Sequence, residues 1–434
     1  MKTYYHIKFL SIFFTLLIFS SAVFSQKKPE KSDKDKKEKT YSDIITDKAV
    51  TDQGLFDVHK VDEKYYYEIN DSLLGRDMLM VTRIAKMAKE IPLGAHKLSE
   101  QVLSWQKFDN NLLLKELSFS NYASDSLPIK EAVSNSNFEP IIASFKIEVE
   151  NQDKNSYVID VTSLYKNDVK SFGYPQSSRK RNNITSLDTK LSFIESIRSF
   201  PLNIEAKHIK TYKSSNAKNG QISMLLNNSM ILLPKEPMKR RYFDERVGWF
   251  TTSQTDYGID NQEAETVTYL DRWRLEVKDE DIEKFKNGEL VEPKKPIVYY
   301  IDRATPMKWR KYLKQGIEDW NAAFEEAGFK NAVICKDPPS KEEDPDWSPE
   351  DVRYSTVRYL ASSTLNANGP HVSDPRSGEI IESDINWYHN VMKLLRNWYF
   401  VQASAVDPEA RGVEFRNEVM GELIRFVSSH EFGH

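Results

Sequence analysis

Between residues 41 and about 290, apolar positions come in short alternating runs separated by polar turns, a period-two grammar that predicts strands. Residues 56–58 and 65–69 flank the polar turn Asp62-Glu63-Lys64 and read as a hairpin. Runs at 78–84 and 102–105 continue the series, 141–149 and 157–161 flank a polar turn at 150–155, and 204–212 pairs in the same way with 222–226. No internal repeat of fixed period is visible. The expectation is a β-rich region over 41–290, with a break near residue 90 that could divide it into two modules.

After Pro293-Lys294-Lys295-Pro296 the grammar changes. A compact strand at 297–301 leads to Thr305-Pro306, a helix start, and Trp309, Leu313, Ile317, Trp320 and Phe324 then step by four, four, three and four. This predicts one long amphipathic helix ended by Gly328. Strands follow at 332–335 and 352–360, separated by an acidic, proline-containing loop, and the turn 374–378 leads into a fourth strand at 379–387. Asp407-Pro408-Glu409 reads as the capped start of the last helix, which Gly421 weakens. Along that helix Val419, Leu423 and Val427 repeat every four residues, and further steps of three and four reach His430 and His434, placing both on the predicted buried face. The overall class is therefore α+β, with an α/β part over 296–434.

Residues 1–25 read as a cleaved secretory signal: Lys2 and Lys8, a short apolar run, then small residues before Gln26. Residues 26–40 alternate lysine with acid and read as a solvated linker. The expected location is secreted or periplasmic, with no membrane anchor evident. Taking the two signal lysines from 61 basic residues leaves 59 against 65 acidic ones, so no basic field supports nucleic-acid binding. The single cysteine, Cys335, excludes an internal disulfide and lies in an apolar run that predicts a buried strand position.

The residues that name a chemistry are His430-Glu431-Phe432-Gly433-His434, the H-E-x-x-H pattern. Histidines four apart share one helix face and can reach a single zinc ion, while the glutamate between them is placed to act on water as a general base. His371 and His389 lack ligand spacing and read as packing or surface residues; Asp244 reads as a solvated acid rather than a ligand.

The glycine before the second histidine and the preceding order of strands and helices resemble the N-terminal subdomain of metzincin metalloproteases. From Pro296 onward the chain resembles bacterial secreted zinc-dependent metalloproteases of the met-zincin, EcxA-like zinc-binding group. Segments 296–300, 320–325 and 373–380 carry that likeness, and segments 44–51 and 246–250 carry it into the β-rich region. The resemblance implies a zinc endopeptidase with His430 and His434 as ligands and Glu431 as base. It also implies a protein or peptide substrate that adds as a strand beside 380–387, with Ile380, Ile381, Ser383, Asp384 and Ile385 as contacts. The metzincin pattern continues to a third histidine and a methionine turn, whereas His434 is the last residue here. The expectation is a fragment of a longer protein whose third zinc ligand lies downstream. A gluzincin-type zinc aminopeptidase, with a glutamate as third ligand, and a non-catalytic secreted β-rich binding protein are the alternatives.

Overall fold

Polar turns close hairpins where the pattern puts them. Asp62 and Asn155 both take the left-handed conformation, at φ 53° and 48°, that such tight turns require. The computed structural model describes residues 39–87 and 97–434. The expected signal (1–25), nearly all of the expected linker and the expected break near residue 90 lie outside the described residues. Among the described residues before 290 the strands are β1 (Val50–Asp52), β2 (Asp57–Val61), β3 (Lys64–Asn70), β4 (Met78–Met87), β5 (Lys97–Phe108), β6 (Asn111–Leu117), β7 (Asn121–Tyr122), β8 (Ile141–Asn151), β9 (Ser156–Asp160), β10 (Ile184–Leu187), β11 (Phe193–Ser199), β12 (Asn203–Ser214), β13 (Gln221–Leu232), β14 (Thr251–Asp256) and β15 (Glu265–Leu270).

Twelve of them form one antiparallel sheet, ordered β1-β2-β3-β9-β8-β6-β5-β4-β13-β12-β10, with β11 also on β12. β4 and β5, on either side of residue 90, are hydrogen-bonded neighbours in this sheet. The sheet curls until its ends meet: Leu55 N–H donates to the Phe200 carbonyl at 2.8 Å and the Ser199 hydroxyl donates to the Phe56 carbonyl at 2.7 Å. Phe56, Tyr67, Trp105, Leu114, Phe145 and Met230 fill the interior. Burial favours bonding of the polar groups there: Lys210 donates to the carbonyls of Tyr165 and Asn167, and His208 bonds Asn228 through Nε2. β7, β14 and β15 make a separate three-stranded sheet.

The α/β part has a parallel sheet of β17 (Val333–Lys336), β16 (Ile297–Ile301), β18 (Ser355–Leu360) and β22 (Ile385–Tyr388), in that order, with β19 (Ala367–Asn368) antiparallel at the edge. β20 (His371–Asp374) and β21 (Glu379–Ser383) form a two-stranded ribbon. The expected long helix is two: α1 (Met307–Glu318) and α2 (Asn321–Glu326), interrupted at Asp319-Trp320. The expected strand 379–387 is likewise two, because Asp384 bends the chain. Its carboxylate accepts the Thr356 N–H and hydroxyl at 2.9 and 2.7 Å and pairs with Arg358. Helices α3 (Val391–Ala403) and α4 (Asn417–Gly433) complete the part. Its core reaches upstream of Pro296, taking in Val291 with Trp273, Leu275, Val277 and Phe285 packed against it. Cys335 is buried in β17, and burial pushes its thiol pKa up.

Residues 41–434 form one compact unit. Leu79, Val81, Val102 and Ile231 on the outside of the large sheet pack against Val352 and Val372 of the α/β part. Ion pairs cross the same junction: Arg376, itself paired with the fully buried Asp374 of its own turn at 2.7 Å, binds Asp77 at 2.8 Å, and Arg83 binds Glu382 at 2.5 Å. Among the described residues no helix is long and apolar enough to cross a membrane.

Two predictions follow from these charges. Arg376→Met strands the Asp374 carboxylate without its cation and should cost about 3 kcal/mol in denaturant unfolding; an unchanged midpoint would show the pair to be inert. The second concerns acid. Burial and the neighbouring Lys210 lower His208 from 6.5 to about 3. Burial alone would raise Glu68, but hydrogen bonds from His59, Ser156, Tyr41 and Asn151 bring it from 4.5 to about 2. In both cases the unfolded chain binds protons that the folded chain refuses, so stability falls as pH drops from 6.5 toward 3 for His208 and from 4.5 toward 2 for Glu68. Burial holds Glu205 up at about 7, which works in the opposite direction between 4.5 and 7. Thermal unfolding of His208→Gln should accordingly lose less between pH 6.5 and 4 than the parent; parallel curves would refute the assignment.

Candidate active site

The motif occupies the last turn of α4. Asp407 does cap a turn, accepting the Glu409 N–H at 2.9 Å, but that turn is a separate 3-10 segment, Pro408–Arg411, which ends at Gly412. The helix proper begins at Asn417 and runs unbroken through Gly421. Gly421 is there for proximity: a Cβ at this position would lie 2.1 Å from the Tyr312 ring of α1. The Ser428 hydroxyl donates to the Leu313 carbonyl at 2.8 Å, the Trp320 indole donates to the Ser429 carbonyl at 2.8 Å, and Arg425 forks onto Asp319 with two contacts of 2.7 Å.

This docking sets the rotation of α4. The buried face is Met420, Gly421, Ile424, Val427, Ser428, Glu431 and Phe432, one residue out of phase with the predicted stripe. His430 and His434 are therefore exposed, not buried as expected, and Glu431 is buried between them at 7% exposure. The two imidazole rings lie 4.8 Å apart at an interplanar angle of 85°. Burial raises the Glu431 pKa, opposed by the His430 charge and by a hydrogen bond from the Gly369 backbone N–H. Burial, and the charges of His430 and His371, lower the His434 pKa, which favours the neutral imidazole that a metal requires. Two such imidazoles suit zinc. Among the described residues no group of three or more His, Cys, Asp or Glu side chains is disposed to hold a metal ion.

Gly369 follows the edge strand β19 and presses on the motif, since a Cβ there would lie 2.1 Å from the Glu431 carbonyl oxygen. The edge beside Glu431 is thus β19, and the expectation for 380–385 is corrected. Ile380 donates its N–H to Arg272 and pairs with Ser373, and Ile381 packs at the junction with the large sheet. Ser383 donates its hydroxyl to the Pro370 carbonyl, Asp384 is the buried bend, and Ile385 lies in the core between β18 and β19. The strand that begins at Ile385 lies inside the parallel sheet, between β18 and β19, and not at its edge.

His371 takes a larger part than its spacing suggested. It bonds Asp271 at 3.0 Å, and its ring lies 5.4 Å from Phe250, which is in turn 5.6 Å from His434. Asp271 also accepts the hydroxyls of Thr252 and Ser373. Phe250 and Asp271 come from the region upstream of Pro296, and no local spacing in the sequence could have brought them to the motif. His389 bonds the Tyr359 hydroxyl at 2.8 Å, and Asp244 is half-buried and paired with Arg246.

Residues 95–278 match the model of a domain of unknown function, DUF5117, and residues 38–87 match that of a second, DUF5118. Both matches fall on the strand-rich part. No curated protein and no solved structure matches the chain.

Helix propensity alone says that Gly421→Ala should stabilise α4 by about 1 kcal/mol. The ring of Tyr312 reverses that sign, and the variant should lose about 1–3 kcal/mol through overpacking. A raised unfolding temperature would mean that α1 and α4 are not in this contact.

Proposed function

We propose that the chain carries the zinc-binding part of a secreted metzincin-type endopeptidase, as the resemblance of its motif implies. The observation that carries this reading is the division of labour in the last turn of α4: two exposed imidazoles on one side and a buried carboxylate between them, held by the Gly369 N–H. His430 and His434 would hold the metal as neutral imidazoles, and a third protein ligand completes a catalytic zinc site of this kind. The chemistry that zinc supplies when bound is Lewis acidity toward a peptide carbonyl and toward water.

The chain's own groups supply the rest. Glu431, with its proton affinity raised by burial, accepts a proton from the attacking water and passes it to the leaving amine. The Gly369 N–H fixes the orientation of that carboxylate. The β19 edge beside it can receive an extended peptide by backbone pairing, which binds with little regard to side chains. Phe250, half-exposed beside His434, adds an apolar wall.

In the full-length protein, Glu431→Gln should reduce peptide cleavage by about 10²–10⁴-fold while the zinc content measured by mass spectrometry stays at the parent level. Cleavage at the parent rate would remove Glu431 as the base.

A further inference from the structure

Asp271 and His371 form a pair to which the proposed reaction gives no role. Asp271, 7% exposed, accepts the His371 Nε2–H at 3.0 Å and the hydroxyls of Thr252 and Ser373 at 2.8 and 3.1 Å. Its backbone N–H bonds the Phe250 carbonyl and its own carbonyl accepts the Trp249 indole N–H, so the residue is anchored at both ends. A carboxylate only accepts, so Nε2 carries the hydrogen, and the neutral ring keeps its lone pair at Nδ1. Nδ1 bonds nothing among the described residues and is open to solvent; the side chain is 11% exposed. The hold of Asp271 fixes where that lone pair sits, and an acceptor oriented in advance loses little freedom when a donor arrives.

The place of His371 in the chain points to the donor. β19 ends at Asn368, Gly369 gives its N–H to Glu431, and His371 follows two residues later, opening β20. Two residues of extended chain span about 7 Å, and a bound extended peptide has the same spacing. On its other side the ring meets Phe250 at 5.4 Å, and Phe250 meets His434 at 5.6 Å. His371 therefore stands at the rim of the histidine site, beside the strand edge that would receive a peptide. Of the backbone groups such a peptide presents, only the N–H can pair with a lone pair.

We infer that His371, oriented by Asp271, binds the substrate by accepting a backbone N–H of an extended peptide at Nδ1. The inference rests on the endopeptidase reading for its ligand, a polypeptide, and binding rather than cleavage tests it.

Two substitutions separate this role from mere support. The amide of Gln reaches the Nε2 position and keeps the bond to Asp271, but leaves the Nδ1 position empty; the shorter amide of Asn does the reverse. In the full-length, zinc-loaded protein carrying Glu431→Gln to prevent turnover, calorimetry should show binding of β-casein, an unfolded protein. His371→Gln should weaken that binding by about tenfold or more, and His371→Asn by less. In the cleavage-competent protein, His371→Gln should raise KM for β-casein more than it lowers kcat. A supporting histidine would give the opposite order, with Gln like the parent and Asn impaired. With His371 intact, β-casein should slow carbethoxylation of its ring, mapped by mass spectrometry, a measurement that stands even where a substitution fails to fold. The inference is overturned if β-casein does not bind, if His371→Gln binds it like the parent, if His371→Asn falls as far as His371→Gln, or if the carbethoxylation rate is unchanged. Binding through His371 without any cleavage by the parent would remove the endopeptidase reading alone. Cleavage that His371→Gln does not slow would remove only the role of His371.

Discussion

The contact between α1 and α4 is the constraint on which the candidate site depends. A helix can rotate about its own axis at little cost unless its neighbours resist. Here Gly421 lets the Tyr312 ring touch the α4 backbone, and the Ser428 hydroxyl and Trp320 indole lock the height and turn of the helix. The Arg425–Asp319 fork is about two-fifths exposed at both ends, so solvent screening leaves it a small part of the total. The buried hydrogen bond at Ser428 is worth about 1 kcal/mol. Close packing along Leu313, Ile317, Ile424 and Val427 supplies most of the hold. A rotation of one residue would put Glu431 in solvent and bury an imidazole, reversing the exposure pattern of the motif.

That rotation is also where the sequence was hardest to read. The apolar period of α4 is plain, but its phase is off by one, because the buried face includes Gly421, which has no side chain to mark it, and Ser428 and Glu431, residue types that advertise exposure. Each is satisfied by something remote in sequence: Tyr312, the Leu313 carbonyl and the Gly369 N–H. The motif itself needed no structure to be found. Its exposure pattern did. The same cause split the long helix at Asp319-Trp320 and the fourth strand at Asp384. In each place a side chain bonded to a distant element stands where the local pattern is continuous.

The hairpins of the strand-rich part were legible because a polar turn between two alternating runs is a local signal, as at Asp62 and Asn155. The closing of the sheet was not, since it rests on Leu55 and Phe56 meeting Ser199 and Phe200 across more than half of the strand series. Nor was the extension of the α/β core upstream of Pro296. Trp273, Leu275 and Val277 fall in a stretch with no sustained period, and only their neighbours in space show that they are core.

This sharing of material bears on what the strand-rich part is for. Asp77 and Arg83 hold the side chains of Arg376 and Glu382, so separating the parts would leave charges of the α/β region without partners in a low-dielectric seam. Removing one partner of such a pair typically costs about 3–5 kcal/mol, and several are involved. Phe250 and Asp271, also from upstream, reach His434 and His371. A segment destined to be shed would be expected to meet the rest of the chain through a separable surface, with counter-charges satisfied on each side. The junction here interleaves the two, so the strand-rich region and the α/β part make one compact unit.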